Sequence, residues 1–190
     1  MAHRYADIAF TPRVKAIQER EGSRRAYRRL ETAPGTTHQA LGDREAAFIA
    51  ARDSVYMATV SETGWPYVQH RGGPAGFVRV LDPHTIGFAD FSGNRQYVSV
   101  GNLAGDDRVS LFFMDYANRA RLKLFGRARI IEAGDENEAA MERLALPGYP
   151  ARVERGIQIA VEAFDWNCPQ HITPRYTLEE LKAIADSRMR

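Results

Sequence analysis

The chain has 190 residues, 44% of them hydrophobic and 26% charged, a balance that excludes a disordered polypeptide and allows one domain with a real core. Its 26 Lys and Arg against 24 Asp and Glu leave a formal net charge of +2, so no global field draws nucleic acid or an anionic membrane, and any basic site must be local. One cysteine, Cys168, cannot form an internal disulfide, no apolar run reaches the length of a membrane span, and the opening "MAHRYADIAFTPRV" lacks the apolar core of a secretory signal, so the expected location is cytoplasmic.

In chain order, Thr11 is placed to cap a helix that begins with Pro12 and carries Val14 and Ile17 on one face. "SRRAYRRLE" resumes after Gly22, with an arginine cluster that reads as solvated surface. A turn-rich stretch leads to "DREAAFIAARDS", a helix capped by Asp43 with Ala47, Phe48 and Ala51 facing inward. The period then changes to that of strands at 55–60, 66–71, 76–81 and 85–90, separated by "SETGW", "GGPA" and "DPH". A short helix is expected to start near Asn94, and strands return at 108–116, 121–132 and 156–164, with a short amphipathic helix inside "GDENEAAMERLAL". Thr177 and Glu180 form a capping box for a closing helix. Seven closely spaced strands with helices at the ends predict a mainly β, α+β fold: a small closed or nearly closed antiparallel barrel.

The strand 121–132 alternates between an apolar face and a row of Arg121, Lys123, Phe125, Arg127 and Arg129, with cations about 7 Å apart along the two-residue repeat. Such a row keeps a strand soluble. It is also one wall of an anion site if other walls exist. Arg71 in "QHRGG", where two glycines allow close backbone approach, and Arg95 in "FSGNRQ", before an expected helix start, are the candidates for those walls.

These segments together resemble the pyridoxamine 5'-phosphate oxidase-like, FMN-binding split-barrel family, from about Asp43 to Arg175. "YVQHRGG" looks like the family strand whose arginine meets the flavin, with Arg71 at that arginine and Gln69 and His70 beside it. In "FADFSGNRQ", Ala89 and Asp90 fall where the family's strand passes the isoalloxazine ring, and Asn94, Arg95 and Gln96 fall on its Ser-Arg-Lys phosphate signature. "RVSLFFMDYANRARLKLFG" resembles the central hairpin and places Arg121 at a flavin-contacting position. "EAFDWNC" resembles the late aromatic segment, with Trp166 on the tryptophan that a partner subunit packs against the cofactor, and Gln170 close behind it. Gln96 replaces the usual lysine, "GGPAG" lengthens the connection after Arg71, and the terminal Arg-Leu-x-x-Arg element of true pyridoxamine phosphate oxidases is absent.

The resemblance implies a Greek-key split barrel that pairs as a homodimer with FMN at the subunit interface. It also implies a division into an N-terminal helical arm (1–42), an FMN-binding barrel (43–176) and a C-terminal helix packed on the barrel (177–190). The flavin carries its own reactivity, so no catalytic side chain is assigned, and His70 is placed in the cofactor wall. The implied activity is an FMN-dependent oxidoreductase passing electrons between a donor such as NADH or NADPH and a small substrate, with vitamin B6 oxidation not expected. The alternative is a flavin-binding redox or carrier protein without turnover. A nucleic-acid-binding barrel is disfavoured by the near-neutral charge. Cys168 and His171 lack the further ligands of a closed zinc site, so no metal is expected; the pair has no defined nucleophile–base geometry, and Cys168 reads as a half-buried loop residue.

Overall fold

The computed structural model describes residues 3–32, 38–166 and 169–188, so Cys168 lies outside the described residues. Three short helices come first, α1 (Arg4–Ala9), α2 (Pro12–Arg20) and α3 (Arg24–Thr32), followed by α4 (Asp43–Ala50). Strands β1 (Ser54–Val60), β2 (Pro66–Gly72), β3 (Arg79–Asp82) and β4 (Thr85–Phe91) precede α5 (Val98–Gly105). Then come β5 (Arg108–Asp115), β6 (Ala120–Glu132), α6 (Glu138–Leu144), β7 (Val153–Trp166) and α7 (Leu178–Arg188).

The seven strands form one antiparallel sheet in the order β2-β1-β5-β6-β7-β4-β3. Alternation fixes which face is buried. Val55, Met57, Leu111, Phe113, Leu122, Leu124, Ile157 and Ile159 all point into one core. The sheet curls around that core until Arg71 on β2 meets Asp90 on β4, although four strands separate β2 from β4 in the sheet order. Helix α5 seats beside this junction, where Ser99 Oγ donates to Gln69 Oε1 at 2.9 Å and Asn102 Nδ2 to Thr59 Oγ1 at 2.9 Å. Leu144 of α6 is fully buried over Gly87 and Gly156, where an added Cβ would lie 2.8 and 2.7 Å from its methyl carbons.

Several local expectations change. The third strand starts at Arg79 rather than at residue 76, because Gly76 adopts φ +79 in the preceding turn. The helix expected near Asn94 begins at Val98, since Arg95 (φ 58) and Tyr97 (φ 53) are left-handed and cannot continue a helix. In α4 the buried positions are Glu45 and Ile49, while Ala47 and Ala51 are exposed; Gly42, not Asp43, precedes the first turn, its N–H donating to Glu45 at 3.1 Å. In α2 the buried side chain is Gln18, and Ile17 is exposed. The capping box at Thr177 forms as expected, with Glu180 N donating to Thr177 Oγ1 at 3.2 Å and Thr177 N to Glu180 Oε2 at 2.7 Å. Helix α7 is exposed among the described residues, with Leu178 at 77% and Leu181 at 48%.

Helix α1 is the element that periodicity misses. It lies along β7 through an Arg4–Glu162 ion pair at 2.9 Å, and Tyr5 stacks on Phe125 at 5.1 Å. Just before it, the His3 ring stacks on His38 at 4.2 Å, and His38 packs against Phe164. Burial, then the neighbouring His3, holds the His38 pKa below its ordinary 6.5, with Asp165 and Glu45 pulling the other way.

A histidine with a lowered folded pKa is neutral in the fold and takes up protons more readily when unfolded. Its contribution is therefore complete above about pH 6.5 and lost as pH falls below that value. Melting temperatures measured between about pH 7.5 and 5.5 should fall more steeply for the native chain than for His38→Asn, an exchange the left-handed φ of 53 tolerates. Parallel profiles would remove His38 as the source. The Arg71–Asp90 contact is mostly buried, with side-chain exposures of 14% and 8%. Asp90→Ala leaves that arginine without its counter-charge and should lower the unfolding free energy by about 3–5 kcal/mol in urea. A loss below about 1 kcal/mol, the scale of an exposed pair, would show that the contact does not hold the ends of the sheet together.

Candidate functional site

The junction of β2 with β4 is where the sheet's hydrogen bonding stops and side chains take over. On β2, Gln69 and Arg71 alternate onto the inner face opposite Met57 and Val55, while His70 lies on the outer face opposite Tyr56. On β4, Asp90 is 6% exposed and its carboxylate joins Arg71 Nη1. Arg155, on β7 directly across from Asp90, brings its Nε to 3.9 Å from the same carboxylate and its Nη2 to 3.2 Å from Glu154. Burial pushes the Asp90 carboxyl up from its ordinary range, and Arg71 and Arg155 pull it back. The buried Nε atoms of Arg71 and Arg155 make no hydrogen bond among the described residues.

Beside this pair runs the turn from Ser92 to Tyr97. Asn94 Oδ1 accepts from the Gln96 N–H at 3.2 Å, and Arg95 Nε donates to Tyr97 Oη at 3.3 Å. The turn, β2 and β4 enclose a cavity of about 170 Å³ whose lining includes Gln69, Arg71, Asp90, Asn94 and Arg95. A second cavity of about 160 Å³ adjoins it, lined by Gln69, His70, Arg71 and Ala89 together with Phe77 and Phe88.

The residues singled out from the sequence thus divide. Gln69, Arg71, Asp90, Asn94 and Arg95 share one cavity, and Ala89 and His70 border the next. Gln96 is exposed on the same turn. Arg121 is not brought there: it sits on the outer face opposite Met114, its guanidinium 5.8 Å from the Phe112 ring. Trp166 is held by its own chain, donating from Nε1 to Glu45 at 2.7 Å, packing edge-on to Phe48 and lying under Arg44. Gln170 is exposed beyond it.

The basic row on β6 is not a continuous anion wall, because Lys123 pairs with Asp165 at 2.7 Å and Arg127 with Asp107 at 2.7 Å. The glycines after Arg71 also serve packing: an added Cβ at Gly73 would lie 2.8 Å from that of Phe77. Arg155 was missed in the sequence. Its only signal is the strand register that sets it across from Asp90, and register is not readable from one strand.

A family model described as pyridoxamine 5'-phosphate oxidase matches residues 41–163. None of the curated protein sequences matches the chain. Among solved structures, a candidate pyridoxamine 5'-phosphate oxidase from Lactobacillus delbrueckii is similar at 18% identity and TM-score 0.51, over 67% of this chain and 94% of that one. HupZ of Group A Streptococcus, in a single-substitution form, is similar at 18% identity and TM-score 0.50, over 66% of this chain and 98% of that one. At such identities these two carry the fold alone. With the family model spanning well over half of its length, the chain belongs to the pyridoxamine 5'-phosphate oxidase family.

Proposed function

We propose that this protein is an FMN-binding flavoprotein, and that its activity is FMN-dependent oxidoreduction of a small substrate. The observation that carries the reading is the meeting of Arg71 and Arg95, from opposite sides of the gap, on one cavity with Asn94 and Gln69. That donor set suits a phosphate monoester, to which the two guanidiniums offer charge-assisted bonds. Gln96, standing where the family has lysine, leaves the phosphate charge to these arginines. Ala89 and Gln69 line the adjoining cavity, where the edge of the ring would lie. Bound flavin supplies the electron transfer itself.

In this reading the curled sheet is a Greek-key split barrel spanning 43–176, preceded by the arm 1–42. Each of the two cavities is smaller than the roughly 300–1,000 Å³ of an ordinary ligand site, so one chain covers only part of a flavin. A second copy would complete it. The outer face of β1, β2 and β5 supports that pairing, since Tyr56 and Val68 are 37% and 60% exposed beside half-buried Phe112 and Met114. His70 and Arg121 stand on this outer face, where a partner's cofactor would meet them, and the exposed Gln170 is assigned to the same contact. The electron donor is NADH or NADPH.

The purified protein, supplied with FMN, should acquire the visible absorption of bound flavin, and anaerobic NADH or NADPH should bleach it. A protein that stays colourless would end the flavin reading; flavin that binds but is never reduced would favour the carrier. Arg95 is exposed, so Arg95→Ala should fold normally and weaken FMN binding about 10- to 100-fold, the scale of one charge-assisted hydrogen bond. Unchanged affinity would take Arg95 out of the phosphate site.

A further inference from the structure

The stack of His3 on His38 lies outside the flavin gap and is buried without being satisfied. His3 is 7% exposed, and neither its Nδ1 nor its Nε2 has a hydrogen-bond partner among the described residues; Nδ1 of His38 is unpartnered as well. Buried ring nitrogens normally find partners, so three orphans in one contact call for a reason. The rings lie 4.2 Å apart and 21° from parallel, a geometry that neutral imidazoles accept and two imidazoliums resist. The surrounding charges are committed elsewhere. Asp165 on β7 pairs with Lys123 on β6 at 2.7 Å, and Glu45 on α4 accepts from Trp166 Nε1 at 2.7 Å and from Gly42 N at 3.1 Å. On α1, Arg4 pairs with Glu162 at 2.9 Å and Asp7 is exposed. A proton gained by the stack therefore meets no counter-charge reserved for it among the described residues.

The stack also joins α1 to the sheet. The His3 carbonyl accepts from Ala6 N at 2.8 Å and from Asp7 N at 3.2 Å, which starts α1, whereas the His38 carbonyl accepts from Phe164 N at 2.9 Å, which fixes that ring to β7. Pushing the rings apart thus moves α1 away from the sheet. The other anchors of α1 are modest: the partly exposed Arg4–Glu162 pair, Tyr5 on Phe125 and the buried Ala6. Six residues are too few to persist as a helix once undocked. Arg4 and Ile8 of α1 form one wall of a cavity of about 400 Å³, lined also by Ala58, Val60, Val109 and Phe125.

We propose that the His3–His38 stack is a proton-sensitive latch: with both rings neutral it holds α1 against the sheet as a lid, and proton uptake releases α1 and opens the cavity behind it. The latch goes beyond the flavin reading and does not depend on it. Its direction follows from His38, whose pKa is held below the ordinary 6.5 by burial and then by His3 while α1 is docked. The released arm binds the proton more readily, so docking is complete above about pH 6.5 and weakens as pH falls below that value.

The test is hydrogen exchange of the whole chain, read by mass spectrometry at about pH 7.5 and about pH 5.5 with labelling times scaled for the intrinsic pH dependence of exchange. Protection of α1 should fall at least about tenfold at the lower pH while that of β6 stays unchanged. His3→Phe keeps a ring on His38 but removes the second titrating group, and His38→Asn removes the first; in each the fall should be smaller than in the native chain. Protection of α1 that does not change with pH, that is lost only together with β6, or that falls as far in both variants as in the native chain overturns the proposal. Loss of α1 protection already at about pH 7.5 in both variants would also overturn it, by making the stack a structural support rather than a latch.

Discussion

The contact between Arg71 and Asp90 is the constraint on which the rest of the structure depends. A seven-stranded antiparallel sheet has two free ends, and here a buried ion pair brings its second strand against its fourth, where no backbone ladder joins them. Burying a guanidinium and a carboxylate is costly unless each remains partnered, so the pair holds the gap at one width and fixes which side chains line it. Arg155 adds a second cation to the same carboxylate, and α5 is latched alongside through Gln69. The same charges that bring β2 against β4 thus border the gap between them. An anion arriving there meets arginines already desolvated and oriented, which favours binding without further ordering of side chains.

Much of the fold was legible because strand periodicity is a local property. All seven strands were placed within a few residues, and the inward set on β6 from Leu122 to Ala128 followed from alternation alone, although at its end Ile131 rather than Ile130 is the buried residue. The errors were also local in origin. A turn such as Arg95–Tyr97, where two non-glycine residues take left-handed backbone, carries no composition signal that distinguishes it from the first turn of a helix. Helix α1 is only six residues long and is held by contacts to β7 and Phe125, so its own sequence contains too little to announce it.

The candidate site was legible only in part, for a different reason. Arg71 and Arg95 stood out because one directly precedes two glycines at a strand end and the other sits in a glycine-containing turn, and the structure brings them onto one cavity. Arg121 and Trp166 were chosen by family position, and within one chain they lie elsewhere, Arg121 against Phe112 and Trp166 against Glu45 and Phe48. Arg155 escaped notice because its relation to Asp90 exists only through the pairing of β4 with β7. Charge on a strand announces itself in sequence; the partner that neutralises it does not. That is why the β6 row, conspicuous as a basic stripe, is largely satisfied by Asp165, Asp107 and Glu162.

The central claim is that this gap recognises a flavin by its phosphate. Calorimetric titration with FMN and riboflavin side by side tests it most directly, because the two ligands share the ring and differ in the phosphate. The account predicts that FMN binds at least about tenfold more tightly than riboflavin and that added salt narrows the difference. Equal affinities, insensitive to salt, would contradict it.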